Sequence, residues 1–345
     1  MNNDLTVSLR ELAEKIVPHN ISYEEISATR NPAQALHIRI FDNVIYVMNG
    51  LTNEDRHGDI LDQLSALRDS GYVLPNTELK YYTMDTVIES DVGSDSAVFV
   101  MFDDDKFGGV KRRILAPTPF FNGYFSGING ENSKKVEYQN DMDRIVKFSR
   151  ERTMPFKEKE NALIFKGSIY PYRKILFDDI KVKIVESSEF LVHERSTNPL
   201  FKTGREYQNP IELLGKCRYQ LVTDGYPRNT DVRSGTIRSM YMLATGSIVI
   251  YLSDKGHKKE FWQHSTEASG LIQYCESADE LLDIIKYFES HPEEANDLSL
   301  RGIDFIENYL NRKNVEEYWK NILEVYSERC LFKITAPPLE GIAIV

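Results

Sequence analysis

The run Asp103-Asp104-Asp105 closes the apolar segment AVFVMF. An Asp-x-Asp pair at the end of a strand supplies hard oxygen ligands of the kind that hold Mg²⁺ or Mn²⁺ against a diphosphate. The same run also reads as a solvated acidic loop. Further along, Gly167 and Ser168 end the segment NALIFK, where backbone amides can approach an anion. Arg173 and Arg238 can each offer a planar fork to phosphate oxygens. A plain turn and two surface ion pairs are the competing reading of these four residues. His193, His257 and His264 lie in segments without metal-ligand spacing or a nearby nucleophile pattern, so packing or surface roles suit them better. Cys217, Cys275 and Cys330 are odd in number and far apart, which fits buried thiols better than a disulfide framework or a zinc site.

These groups need elements to hold them, and the pattern of the chain supplies candidates. Ser8 with Glu11 reads as a capping box before Leu9, Leu12, Ala13, Ile16 and Val17 at helical spacing. HIRIFDNVIYVM reads as two strands around a turn at Asp42-Asn43, and Thr52 as the cap of a helix bearing Ile60, Leu61, Leu64 and Leu67 that ends at Gly71. LKYYTMDTVI and AVFVMF have strand length and composition, a helix follows around Asn140 to Arg152, and PFKEKE reads as a linker.

Beyond that linker, strands and helices alternate. NALIFKGS reads as strand into turn, YRKILFDDI as a short helix, VKIVES as a second strand, Pro210 as a helix start, YQLVTDG as strand into turn, Thr236 to Thr245 as helix and SIVIYL as a strand. Such alternation predicts a parallel sheet with helices on both faces. Ser277 with Glu280 caps another helix, and Pro292 opens the next. The last long helix carries Val315, Tyr318, Trp319, Ile322, Leu323 and Tyr326 on one face and must pack on something. Ligands of open α/β sheets bind beyond the carboxyl ends of the strands, which points to the turns holding Gly167, Asp224 and Gly225.

Bulk properties fit this picture. A chain of 345 residues with 41% apolar and 28% charged composition has room for two ordinary domains. A net charge of -11 leaves no broad basic surface for a nucleic acid backbone. No stretch approaches the roughly 18 apolar residues of a membrane span, and MNNDLTVSLREL lacks the pattern of a signal peptide, so a cytoplasmic location is expected.

From Tyr219 to Ser327 the landmarks YQLVTDG, TIRSMYMLATGSIVIYL, KKEFW, SADELLDIIKYFESHPEEAN, RGIDFIENYLNRKNVEEYW and ILEVYSE occur in an order and spacing that resemble glycosyltransferase family 90, which includes protein O-glucosyltransferases and capsule-associated or lipopolysaccharide-modifying transferases. Upstream, FKGSIYPYR resembles the family's aromatic-Arg-Gly-Ser segment, with Lys166 standing where Arg is usual. LPNTELKYYTMDT, AVFVMF and ILAPTPFF resemble its N-terminal segments, which extends the resemblance to about residues 37 to 328. The chain departs from the family after Asp224-Gly225, where YPRNTDVRSG intervenes before Arg238.

The resemblance implies a GT-B fold: two Rossmann-like α/β domains facing across a cleft, with an acceptor-side domain over 1–154 and a nucleotide-sugar domain over 155–313. The C-terminal helix, within 314–345, is then a candidate to pack back on the first domain. It also implies an inverting transfer of glucose or xylose from a UDP-sugar to a hydroxyl of a glycan or glycoprotein acceptor, with no cofactor or metal required. Asp85 takes the place of the catalytic base, although an Asp-Thr pair also suits a strand end. The donor-binding set is then Lys166, Gly167, Ser168, Arg173, Asp224, Gly225, Arg238 and Glu260. Glu260, within KKEFW, is either a ribose contact or a helix cap. Trp262, Trp319 and Phe121 either stack on sugars or pack a core. Two alternatives stay open: a metal-dependent GT-A-like enzyme using Asp103 and Asp105, and a catalytically silent sugar-nucleotide- or glycan-binding module.

Overall fold

Asp42 and Asn43 both take left-handed backbone angles, φ 50° and 60°, which two-residue hairpin turns demand and which Asp and Asn tolerate better than most residues. They join β1 (Ala35–Phe41) to β2 (Val44–Val47) as an antiparallel hairpin. Side-chain amides pin the turn to the chain 31 and 34 residues on: Leu74 N donates to Asn43 Oδ1 at 3.0 Å, and Asp42 N to Asn76 Oδ1 at 2.8 Å.

The computed structural model of the protein describes residues 2–27, 35–49, 54–83, 96–104, 112–122, 138–152, 154–166, 171–185, 191–195, 215–225 and 238–344. The chain divides into two compact units. One comprises Met1–Tyr124, Lys258–Thr266 and Asn311–Val345, and the other Phe125–His257 and Glu267–Leu310.

The first unit is built on a mixed six-stranded sheet in the order β13-β2-β1-β3-β4-β6, where β3 is Thr77–Tyr82, β4 Ala97–Val100, β6 Arg112–Leu115 and β13 Ile342–Ile344. β3, β4 and β6 run parallel, and the other pairings are antiparallel. A separate two-residue ribbon pairs β5 (Asp103–Asp104) with β11 (Lys258–Lys259). α1 spans Asn2–Ile16, so Ser8 and Glu11 lie inside the helix and do not cap it. Nothing among the residues before Ser8 breaks a helix, and propagation costs less than starting a new one.

The last helix of the chain, α9 (Arg312–Arg329), belongs to this unit and packs against α1 and α3 (Glu54–Asp69). Its face of Val315, Tyr318, Trp319, Ile322, Leu323 and Tyr326 is buried. Each polar tip on that face finds a partner, as burial requires. The Trp319 indole N–H donates to Gln63 Oε1, the Tyr318 hydroxyl to Leu115 O and the Tyr326 hydroxyl to Glu78 O, all at 2.8 Å. The Phe261 ring stacks on Tyr318 at 4.1 Å, and Phe121 lies 6.0 Å from Phe261. Trp262, Trp319 and Phe121 are therefore core residues.

The second unit holds a five-stranded, wholly parallel sheet in the order β12-β10-β9-β7-β8. Its strands are β7 (Glu160–Lys166), β8 (Leu191–Arg195), β9 (Cys217–Thr223), β10 (Ile248–Leu252) and β12 (Ile272–Cys275). Helices over Tyr138–Glu151 (α4), Pro171–Val185 (α5), Arg238–Leu243 (α6), Ala278–Ser290 (α7) and Pro292–Asn308 (α8) complete it. β10 is buried throughout, as a parallel strand covered on both faces should be. Ser277 caps α7 by accepting from Glu280 N at 3.2 Å, and Pro292 opens α8. The expected strand VKIVES is corrected: α5 continues through Val185, and the next strand among the described residues is Leu191–Arg195. The Pro171 start and the buried Phe177 and Ile180 extend the helix through β-branched residues whose helix penalty is small.

The strand order reverses once. The chain runs outward from β7 to β8 and then crosses to the other side of β7 to lay down β9 and β10. The switch point therefore falls between β7 and β9, and their carboxyl ends carry Lys166 on one side and Asp224 on the other.

Candidate functional site

At that switch point the chain closes a network around Asp224, which follows β9 and is fully buried. Its carboxylate accepts from the Tyr251 hydroxyl at 2.8 Å and lies 2.5 Å from the Ser253 hydroxyl, both at the carboxyl end of neighbouring β10. The Ser253 hydroxyl also lies 2.9 Å from Gly256 O, so its single proton serves one acceptor at a time. The backbone carbonyl of Asp224 accepts from the Tyr172 hydroxyl and from the Arg173 guanidinium, and Gly225 O accepts from the same Tyr172 hydroxyl at 2.6 Å.

Tyr172 and Arg173 stand in the first turn of α5, which Pro171 opens. Arg173 is 4% exposed, with its guanidinium 5.3 Å over the Phe165 ring and 5.7 Å from the Tyr172 ring centroid. The stacking rings keep the planar cation in place, Tyr172 and Arg173 of α5 hold the Asp224-Gly225 backbone, and Tyr251 and Ser253 hold the Asp224 carboxylate. A preorganised cation and a pinned turn at a switch point are what an anionic or nucleotide ligand uses in an open α/β sheet.

Of the residues expected to form a donor site, Arg173, Asp224 and Gly225 are thus brought together. Lys166 ends β7 beside them. Arg238 starts α6, and Gly167 and Ser168 lie outside the described residues. Tyr172, Tyr251 and Ser253 were not singled out from the sequence. A tyrosine ending the apolar run SIVIYL is a usable signal, because a buried hydroxyl needs a partner.

Glu260 lies in the first unit, fully buried at the N-cap of a 3-10 turn, Phe261–His264, and its own N–H donates to Gln263 Oε1 at 2.8 Å. Burial pushes its carboxyl up to about 8, with the Trp262 indole pulling weakly the other way. The carboxylate oxygens have no hydrogen-bond partner of ordinary geometry among the described residues. Glu260 also acts on Tyr81, whose phenol is raised well above its ordinary value by burial and then by this carboxyl, while Arg56 opposes them. Arg56 donates to Thr83 O at 2.6 Å, where the chain leaves β3. Next to it in α3, the buried His57 ring has its pKa lowered by burial, and neither ring nitrogen has a partner among the described residues.

Asp85 follows two residues after Thr83 and lies outside the described residues, as does Asp105. Asp103 is described, and its carboxylate sits 2.9 Å from the Arg113 guanidinium. Among the described residues no three His, Cys, Asp or Glu side chains form a metal-binding group. The three cysteines are buried thiols, with Cys275 pushed up to about 12 and Cys330 to about 11, both mainly by burial. No helix among the described residues is long and apolar enough to cross a membrane.

Comparison with known proteins places these features in context. The chain is 22% identical over 184 residues to human protein O-glucosyltransferase 1, a match covering 52% of this chain and 45% of that protein. It is 22% identical over 187 residues to the rat protein of the same name, with the same shares covered, and 21% identical over 184 residues to the mouse protein. The chain thus spans about half the length of the curated relatives it matches. The model of the family described as "Glycosyl transferase family 90" matches residues 132–341, a range that includes the Arg173–Asp224 network and Glu260 and excludes Asp85 and Asp103. That match covers more than half of the chain, and the protein therefore belongs to glycosyl transferase family 90.

Proposed function

We propose that the protein is an inverting glycosyltransferase that moves glucose or xylose from a UDP-sugar to a hydroxyl of a glycan or protein acceptor. The observation that carries this reading is the convergence of Arg173, Asp224 and Gly225 at the switch point of the parallel sheet, inside the range matched by the family. In this reading the second unit binds the donor, and Arg173, Arg238 and the amides of Gly167 and Ser168 balance charge growing on the leaving diphosphate. Lys166 adds a cation at the end of β7, and Glu260 is a further donor contact. Asp85 is the general base that takes the acceptor proton as the oxygen attacks the anomeric carbon. The relatives named as O-glucosyltransferases favour glucose as the sugar and a protein hydroxyl as one acceptor class.

No metal enters this mechanism. The Asp103–Arg113 pair argues against a clasp at Asp103 and Asp105, since a bound ion would have to displace a guanidinium.

Release of UDP from a panel of UDP-sugars, with and without EDTA, tests the reading. EDTA-insensitive turnover that Asp85→Asn abolishes while UDP binding persists is the expected result. Full activity of Asp85→Asn would remove the base assignment. UDP-sugar binding without turnover by the unmodified protein would favour a catalytically silent binding module.

A further inference from the structure

Beside β12, the terminal strand of the parallel sheet, α7 and α8 flank a groove of about 520 Å³. That volume falls within the roughly 300–1,000 Å³ usual for ligand clefts. Ile284 and Phe288 of α7 and Leu298 of α8 give it an apolar lining. Tyr287 lines it too and is 45% exposed, yet three neighbours hold its ring. It stacks on His291 with centroids 4.4 Å apart, meets the Phe288 ring edge-on at 5.3 Å, and its hydroxyl donates to Glu294 Oε2 at 2.7 Å. An exposed aromatic side chain held in this way has already lost the freedom that binding a partner would otherwise cost.

Charge identifies the partner. Asp283, Glu294 and Asp297 line the groove as well. Glu294 stands in the first turn of α8, where the helix dipole accounts for it, but Asp283 and Asp297 lie beyond the first turns of their helices. Asp283 sits 3.7 Å from Lys286 with both side chains exposed, a pairing worth little. The Asp297 carboxylate has no ion-pair or hydrogen-bond partner among the described residues. Arg301, the cation of the lining, donates to Ser269 O at 3.2 Å and not to a carboxylate. Among the described residues no three acidic side chains converge as a metal-binding group, so the negative charge is spread along an aromatic and apolar surface. Such a surface matches a chain that carries several cations with apolar side chains between them, and it repels the phosphates of nucleic acids and membranes.

We propose that the groove between α7 and α8 docks a lysine- and arginine-rich segment of a partner protein. Asp283, Glu294 and Asp297 receive its cations, Tyr287 offers its ring to one of them, and Ile284, Phe288 and Leu298 receive the apolar side chains.

Fluorescence anisotropy of a labelled peptide of alternating lysine and leucine, titrated with the full chain, tests this. UDP is left out, so the result does not depend on the donor-site reading. The peptide binds, and added salt weakens it because the charges are exposed. Asp283→Asn combined with Asp297→Asn weakens binding about tenfold, and Tyr287→Ala about fivefold. All three positions are exposed, so the variants keep the fold, as circular dichroism should show. Binding no tighter than that of a glutamate and leucine peptide, binding unchanged in both variants, or displacement by spermine as potent as by unlabelled peptide overturns the proposal.

Discussion

Glu260→Gln is expected to stabilise the protein at neutral pH, which is unusual for a substitution at a fully buried position. In the folded protein the carboxyl titrates at about 8, against 4.5 for the same group in water. Below 4.5 both folded and unfolded chains carry the proton, and Glu260 costs nothing relative to its neutral amide. As pH rises the unfolded chain ionises first, so stability drains away until the folded group also ionises near 8. At ~1.36 kcal/mol per pH unit, the penalty at pH 7 is about 3 kcal/mol. Glutamine has nearly the same shape and no charge to suppress.

Urea unfolding of both proteins across pH measures the difference. The stability advantage of Glu260→Gln should grow by about 3 kcal/mol between roughly pH 5 and pH 7.5. An advantage independent of pH, or a variant less stable throughout, would show that the buried carboxyl is not held neutral and would refute the reasoning. A position that costs the fold this much is retained where function needs it, so UDP-sugar turnover in the same variant should fall although the protein is more stable.

Three further outcomes follow from the geometry. Tyr251→Phe removes the 2.8 Å hydrogen bond to the buried Asp224 carboxylate; a loss of about 1–3 kcal/mol in urea melts and weaker UDP binding by calorimetry are expected. Gly246→Ala places a Cβ at φ +66° and 2.8 Å from Ile303 Cδ1, which should destabilise the protein by about 1–3 kcal/mol in the same assay. Burial alone would raise the Glu78 carboxylate, but His37 at 2.7 Å and Arg39 at 2.6 Å overcome it and hold its pKa below 4.5. Glu78 therefore stabilises the fold above its ordinary pKa, and that contribution is lost as pH falls through the lowered value. Glu78→Gln should accordingly be clearly destabilised near pH 7 and converge with the parent in strongly acidic buffer, as read by circular dichroism.

Local chemistry was legible in the chain wherever neighbouring residues decide the outcome. Asp42-Asn43 makes its turn because these two side chains tolerate positive φ, and Ser277 caps α7 because its hydroxyl reaches an amide three residues on. The alternation after Pro155 gave a parallel sheet because fully apolar strands must be covered on both faces. The same local reasoning misassigned VKIVES, where β-branched residues suit a strand in isolation but continue a helix already anchored by Phe177 and Ile180. Capping by Ser8 failed similarly, since the residues before it extend α1.

The candidate site divides along the same line. Sequence marked Arg173, Asp224 and Gly225 by type and by their place after strands, yet their partners Tyr172, Tyr251 and Ser253 emerged only with the fold. Folding also placed Glu260 in the first unit beside Tyr81, and set Lys159, Lys216 and Gly246 around one cavity although they lie far apart in the chain. Backbone preference and hydrophobic period act over a few residues, so sequence determines them. Desolvation and charge pairing depend on which distant side chains share a small volume, and only the tertiary structure decides that.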